Sequence, residues 1–342
     1  MLFTNGRISV RQMQALIMLW IFSSALIGMP SASVYNIYSV IIGAAIVLAE
    51  CIFICIAEKR LRSSNVIYKA VYILSGISMI VYSGINIRLL SEAIGLYILS
   101  DTPMWIVSAV FVLAALYSAL LGKQTLGRTS EIMFLIVAVN AAITTVLCMI
   151  DAGGGLLSAA FAQPSENIIL NGIKCSCMFG GVQSLFFILP HTDGADRNKK
   201  AVYAVIIAEI AVIVFTYISV SKFGLTDTSL RMFPALNIMD TVNLQFIFGD
   251  KQDVFMLRMW IFAVFIAVSF GVYAFGNAIS FEKNSSIQTI LGALAALAVS
   301  FVPVNTTETV QLLYTVGEAS LIIFGIAVPL ISFIFAGKGA EL

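Results

Sequence analysis

Ten apolar segments, separated by short polar connections, constrain the fold of this chain more than any other feature of its sequence. A membrane-spanning helix needs about 20 predominantly apolar residues. The composition agrees, since 60% of the residues are hydrophobic and 11% are charged, against about 25% charged in soluble domains. The sequence therefore predicts an all-α integral membrane protein, one transmembrane domain over residues 1–342 with ten spans. These fall at about 10–29, 34–57, 66–99, 103–121, 130–150, 168–190, 200–221, 254–281, 286–303 and 312–336.

Basic residues in the connections orient these spans. Because cytoplasmic connections are enriched in Lys and Arg, the richer set is placed inside. Both termini are then cytoplasmic, which agrees with an even number of spans. "PSAS" at 30–33 resembles a signal-peptidase site, but the length of the first run favours a retained first helix. One set of connections holds Arg7, Arg11, Lys59, Arg60, Arg62, Lys123, Arg128, Arg197, Lys199, Lys200, Lys283 and Lys338, and the other holds Lys222, Arg231 and Lys251.

The longest outer connection, 222–253, contains the stretch "FPALNIMDTVNL". Asn237, Asp240 and Thr241 share one helical face, and apolar residues occupy another. This pattern predicts a short helix at about 233–244 that lies in the outer membrane interface. A plain capping loop is the alternative.

Two spans carry helix-weakening residues at their centres. Gly28 and Pro30 interrupt span 1, and Gly180 and Gly181 fall in the middle of span 6. Spans 1 and 6 open two five-helix halves, at about 8–150 and 168–336. Broken helices at equivalent places are typical of transporters with inverted repeats, which bind substrate between the half-helices. Glycines that serve only close helix packing are the alternative.

The two breaks and the polar residues within spans define the candidate site. Arg88 and Glu92 are four residues apart in span 3 and are expected to pair on one face. Three deeper carboxylates are candidates for proton carriage or for bonds to a neighbouring helix: Glu50, Glu209 and Glu318. The predicted ligand-binding residues are Ser24, Gly28, Cys177, Gly180, Gly181 and Gln183.

Several function classes are disfavoured. The net charge is +1 and the few charges are scattered, so nucleic acid is not an expected partner. No nucleotide-binding, nucleophile-elbow or zinc motif appears, so neither an enzyme nor a cofactor is expected. Cys175 and Cys177 have only His191 nearby and lie in an apolar segment, which argues against a metal site.

Several stretches, in their order and spacing, resemble the B subunit of bacterial spore germinant receptors, a branch of the amino acid–polyamine–organocation transporter superfamily. The resemblance covers nearly the whole chain. The matching stretches are "ISVRQMQALIMLWIFSSALIGMPS" at 8–31, "NIRLLSEAIGLYILSDTP" at 86–103, "LGRTSEIMFLIV" at 126–137, "FGGVQSLFFILP" at 179–190, "FPALNIMDTVNL" and the region of Arg258.

This resemblance implies a LeuT-like fold in the inner spore membrane, with a larger membrane A subunit and a lipoprotein C subunit as partners. It also implies a nutrient-sensing subunit that binds a small neutral or zwitterionic germinant, with amino acid transport as the alternative. Three positions depart from the family pattern. Gln183 stands where the family usually has Glu, and Leu257 and Trp260 flank Arg258 where acids are common.

The predicted orientation is tested by cysteine labelling in intact membranes. A cysteine introduced at Asn198 should be shielded from an impermeant thiol reagent added outside, because the 191–200 connection is expected to be cytoplasmic. A cysteine at Asn243 should react. Labelling of position 198 from outside would overturn the orientation.

Overall fold

The structure is a computed structural model that describes residues 7–33, 36–62, 65–152, 167–194, 196–238, 253–280 and 286–336. Almost all of these residues are helical, and helical residues occupy each of the ten predicted spans. Within the described residues, six helices are long and apolar enough to cross a membrane, and one bent pair, taken as a single span, makes a seventh. The helices are α1 (Val10–Ser33), α2 (Asn36–Leu61), α3 (Asn65–Tyr97), α4 (Met104–Leu120), α5 (Lys123–Ala152), α6 (Ile168–Phe179), α7 (Val182–His191), α8 (Arg197–Leu230), α9 (Pro234–Asn237), α10 (Asp253–Ser280), α11 (Ser286–Ser300), α12 (Thr306–Ser320) and α13 (Val328–Ala336), with a π-helical segment (Leu321–Ala327) joining the last two.

The helices pack in two groups. In one, α1 and α2 lie against α6 and α8, so the first two spans of each predicted half are neighbours. In the other, α3 and α10 form the most extensive contact, with α4 and α11 beside them. The two groups meet where α1 packs on α10, and the buried core is continuous across this junction.

Close helix approach within the first group depends on small residues. A Cβ added at Gly43 of α2 would lie 2.8 Å from the backbone nitrogen of Ser176 in α6. Hydrocarbon tails are as apolar as the side chains, so membrane helices associate through this kind of close packing rather than through a hydrophobic driving force. Gly43 therefore brings α2 against the half-helix that leads to the break.

The predicted break in span 6 is present. Helices α6 and α7 are bent by 46° at Gly180 and Gly181. Gly181 has φ +102, a left-handed conformation that L side chains rarely adopt. The glycine pair therefore ends one helix and starts another within a single crossing.

The break predicted in span 1 is not found, because α1 is one unbroken helix from Val10 to Ser33. Proline fixes φ near −65°, which suits a helix, and neighbouring groups in a bundle satisfy the backbone that it frees. Gly28 and Pro30 weaken the helix without requiring a left-handed residue, unlike Gly181.

The segment predicted as an interfacial helix is described only as far as Ile238, and Asp240 and Thr241 lie outside the described residues. Its described part, α9, is buried in the bundle rather than lying on a membrane surface. The hydroxyl of Tyr97 donates a hydrogen bond to Asn237 Oδ1 at 3.1 Å, and the ring of Phe233 contacts that of Trp260.

The chain before α1 is tied to the end of α7. The amide of Ile8 donates to the carbonyl of His191 at 2.9 Å, and the amide of Asp193 donates to the carbonyl of Ile8 at 3.1 Å. The Arg7 guanidinium pairs with the Asp193 carboxylate at 3.0 Å. These contacts join the N-terminal segment to the far end of the broken span.

Replacing Gly181 by alanine should destabilise the fold more than the same change at Gly122. Both glycines have positive φ, but a Cβ at 181 would overlap the Trp20 indole, whereas a Cβ at 122 would have no atom within 4 Å. We expect a loss of about 2–5 kcal/mol for Gly181→Ala and about 1–2 kcal/mol for Gly122→Ala. Unfolding of both variants in detergent measures the difference, and equal losses would contradict the predicted clash.

Candidate functional site

The break between α6 and α7 opens onto a small buried cavity. Its volume is about 10 Å³, room for about one water molecule. Helices α2, α3 and α12 close it from the sides. The cavity is lined by Val47, Glu50, Tyr82, Ser176, Cys177, Phe179, Gly180, Gly181, Val182, Gln183, Gly317, Ser320 and Leu321.

Hydrogen bonds hold the broken backbone in place. The hydroxyl of Ser75 on α3 donates to the main-chain carbonyl of Gln183 at 2.9 Å. The amide of Ser184 donates to the carbonyl of Gly181 at 2.9 Å, which closes the first turn of α7. Because the membrane interior offers no water to exposed peptide groups, these contacts are what allow the break at this depth.

Among the described residues, two side chains at the break have buried donors with no hydrogen-bond partner. They are the amide nitrogen of Gln183 and the indole N–H of Trp20. The indole lies directly against Gly181, where it takes the space of a side chain. Its ring also makes an edge-to-face contact with Phe270, at 6.0 Å between centroids. A buried donor without an acceptor costs free energy, so both groups would gain from an occupant that supplies one.

Glu50 places a carboxylate in the same cavity from α2. The side chain is buried and packs against Gly325 of the π-helical segment. Within the described part of the chain, this carboxylate has neither an ion-pair nor a hydrogen-bond partner. Tyr82 of α3 lines the same cavity. The cavity thus combines one acceptor group with the donors at the break.

A second set of buried polar groups lies on α1, α3 and α10. Within the part of the chain that the structure describes, Ser24 on α1, Asn86 on α3 and Ser269 on α10 have side-chain atoms without hydrogen-bond partners. Helices α3 and α10 run antiparallel, and Gly271 abuts the hydroxyl of Ser83. Asn86 and Ser269 are therefore at a similar depth, on the two helices that flank Trp20.

The predicted ligand-binding residues are largely brought together. Cys177, Gly180, Gly181 and Gln183 line the cavity. Ser24 is buried but does not line it. Gly28 belongs to α1 at a position whose side-chain contacts lie outside the described residues.

Among the predicted ionisable candidates, only Glu50 reaches the cavity. Glu209 is buried on α8, close to Cys51 of α2. Glu318 lies on the exposed face of α12. A carboxylate within an apolar span does not itself indicate which face of the helix is buried.

The expected pair of Arg88 and Glu92 is present, away from the cavity. The guanidinium donates to Glu92 at 2.6 Å and to the carbonyl of Val304 at 2.7 Å. The hydroxyl of Thr306 donates to the other oxygen of Glu92. This network joins α3 to the start of α12.

Sequence reasoning missed the two aromatic residues that shape the site, Trp20 and Tyr82. Aromatic side chains are common in membrane helices, so the presence of Trp or Tyr did not indicate a site. The one available cue was the Gly-Gly pair, since a bulky side chain is needed to fill the space beside a glycine break.

Two solved structures are similar to this one over most of its length. Mhp1, a nucleobase-cation-symport-1 family transporter solved with bromovinylhydantoin bound, aligns with a TM-score of 0.66 over 94% of this chain and 78% of its own, at 13% identity. MhsT, solved in complex with L-phenylalanine, gives a TM-score of 0.64 over 97% of this chain and 89% of its own, at 14% identity. The chain therefore has the LeuT-like fold, as predicted.

Sequence relatives are spore germination proteins. Spore germination protein KB of Bacillus subtilis (strain 168) is 26% identical over 309 residues, which span 82% of this chain and 81% of that protein. Spore germination protein YndE of the same organism is 23% identical over 259 residues, 73% of this chain and 70% of its own length. The family model described as Spore germination protein matches residues 7–309. Since this match covers most of the 342 residues, the chain is an integral membrane protein of the spore germination permease family.

Proposed function

We propose that this chain is the nutrient-sensing membrane subunit of a spore germinant receptor. It would bind a small zwitterionic, amino acid-like germinant at the α6–α7 break, against α1. Membership of the spore germination family and the similarity to spore germination protein KB support the sensory role. The chemistry of the cavity supports the ligand class.

The observation that carries the ligand class is the set of unsatisfied groups at the break. The Glu50 carboxylate is suited to an ammonium group. The Gln183 amide and the Trp20 indole offer donors that suit a carboxylate. A zwitterion satisfies both kinds of group, and a half-helix N-terminus favours its negative end. A purely apolar ligand would leave all three groups unpaired.

The size of the cavity supports sensing by a change of shape. With a volume of about 10 Å³, the cavity admits no amino acid until α2, α12 and the break move apart. A ligand that binds only the open form shifts the population toward that form. The receptor's signal would be this shift, read by partner subunits.

The partners in this proposal are a larger membrane A subunit and a lipoprotein C subunit. The location is the inner spore membrane, with both termini in the cytoplasm. Similarity to spore germination protein KB supports an assembly of this type.

A secondary transporter of amino acids or related solutes is the second candidate, and the fold favours it. Mhp1 is a nucleobase-cation-symport-1 family transporter, and MhsT was solved with an amino acid. The position of Glu50 bears on the choice between a receptor and a transporter. Gln183 does not titrate, but Glu50 brings a carboxylate into the same cavity from a different helix. Proton coupling could therefore run through α2 although residue 183 is neutral.

One experiment separates the two functions. The purified chain is screened for thermal stabilisation by each standard L-amino acid, and every stabilising amino acid is then tested, radiolabelled, for uptake into proteoliposomes. We expect at least one to stabilise the chain without accumulating in the vesicles. Time-dependent accumulation would establish the transporter instead. If no amino acid stabilises the chain, the proposed ligand class is wrong.

Removing the charge of Glu50 should weaken binding of the stabilising amino acid about 10- to 100-fold, because a hydrogen bond to a charged group contributes about 1.5–3 kcal/mol. Glu50→Gln keeps the shape of the side chain. Glu209→Gln is the matched control, since Glu209 is also a buried carboxylate but does not line the cavity. Binding is measured by equilibrium dialysis. Equal affinities for the two variants would show that Glu50 does not bind the ligand.

A further inference from the structure

The exposed face of α12 and of the helical segment that continues it changes from polar to apolar along its length. Gln311, Thr315 and Glu318 are all exposed and follow one another at spacings of four and three residues, so they form one stripe on the helix surface. Further along, the exposed face of the same span is apolar, with Ile322, Ile326, Leu330 and Phe333. We refer to Gln311, Thr315 and Glu318 as the polar stripe.

The polar stripe reaches the middle of the membrane domain. Gly317, next to Glu318, abuts Cys177 and lines the cavity at the helix break. The break divides its crossing near the midpoint, between Phe179 and Val182. Glu318 is therefore level with the centre of the bilayer, not with its polar interface.

The exposed faces of α4 and α11 do not share this polarity. The large exposed side chains of α4 include Trp105, Val110, Leu113 and Tyr117, and those of α11 include Ile287, Ile290, Leu291 and Leu294. These surfaces suit lipid tails. The polar stripe therefore distinguishes α12 from these two helices.

A carboxylate that faces hydrocarbon at mid-depth needs a partner. Ionisable side chains within membrane spans pair with one another or face the protein interior, because exposure to lipid is costly. Among the described residues, no basic side chain forms an ion pair with Glu318, and Lys174 on the adjoining α6 forms no ion pair. The chain itself thus leaves the mid-depth carboxylate unsatisfied.

We propose that the polar stripe docks a membrane helix of a second protein, which places a basic side chain opposite Glu318 and hydrogen-bonding groups opposite Thr315 and Gln311. Charge complementarity defines this partner. The apolar continuation from Ile322 to Phe333 would pack along the same helix. The inference rests on the assembly with membrane partners that the proposed function includes.

The same charge argues against a second copy of this chain as the occupant. A two-fold interface is formed by the same patch on both copies. It would place Glu318 opposite Glu318, two like charges at a depth where neither is hydrated. A partner with a basic residue removes this repulsion.

The test is photocrosslinking in membranes of the native host. A benzophenone amino acid is placed at Thr315 and, as a matched control, at Leu294, which is exposed on α11. We expect a protein adduct at Thr315 that is absent at Leu294, with the crosslinked partner peptide in a membrane helix that carries Lys or Arg. Glu318→Lys should reduce the adduct at least tenfold, and exchanging the partner's basic residue for Glu should restore it.

Four results would overturn the proposal: adducts with lipid alone, an adduct with a second copy, a partner helix without a basic residue, or a yield that Glu318→Lys does not change. If Glu318→Lys does not reach the membrane, Glu318→Gln replaces it and should lower the yield at least threefold. Thermal stabilisation by L-amino acids keeps the two proposals apart. If L-amino acids stabilise the chain but Thr315 does not crosslink, only the docking proposal is wrong. If Thr315 crosslinks but no L-amino acid stabilises the chain, only the proposed ligand class is wrong.

Discussion

The requirement that every backbone group in a bilayer find a partner within the protein governs this structure. A helix can be interrupted at mid-depth only where neighbouring groups replace its lost hydrogen bonds. At Gly180 and Gly181 these neighbours are the Ser75 hydroxyl and the first turn of α7, and the Trp20 indole fills the space beside them. The cavity, its polar walls and its closed shape all follow from this one interruption.

The break also brings polar side chains from different helices together. Glu50 comes from α2, Tyr82 from α3 and Gln183 from the break itself, so three separate parts of the chain converge on a space the size of a water molecule. An occupant that hydrogen-bonds to several of these side chains at once would be stabilised in the cavity. The contacts of Ile8 and Arg7 with the far end of α7 extend this arrangement, because they connect the broken span to the N-terminal segment.

Much of the fold could be predicted from the sequence, because spanning helices require long apolar runs and few other structures do. The break in span 6 was predicted from its adjacent mid-run glycines, with close helix packing as the alternative use for them. The supposed break at Gly28 and Pro30 was wrong, since composition does not reveal whether a residue must take a left-handed φ. Burial was the hardest to predict. A membrane helix is apolar on the lipid side and on the protein side, so periodicity did not reveal that Trp20 and Tyr82 face the break or that Glu318 faces outward.

The contact between Trp20 and Gly181 has an evolutionary consequence. Any side chain at position 181 would occupy the volume of the indole, whereas a smaller residue at position 20 leaves glycine at 181 sterically acceptable. The order in which these two positions can change is therefore fixed. Descendants of this sequence would lose the tryptophan before they lose the glycine, and a pocket enlarged by the first step would be available to a bulkier ligand before the second occurs.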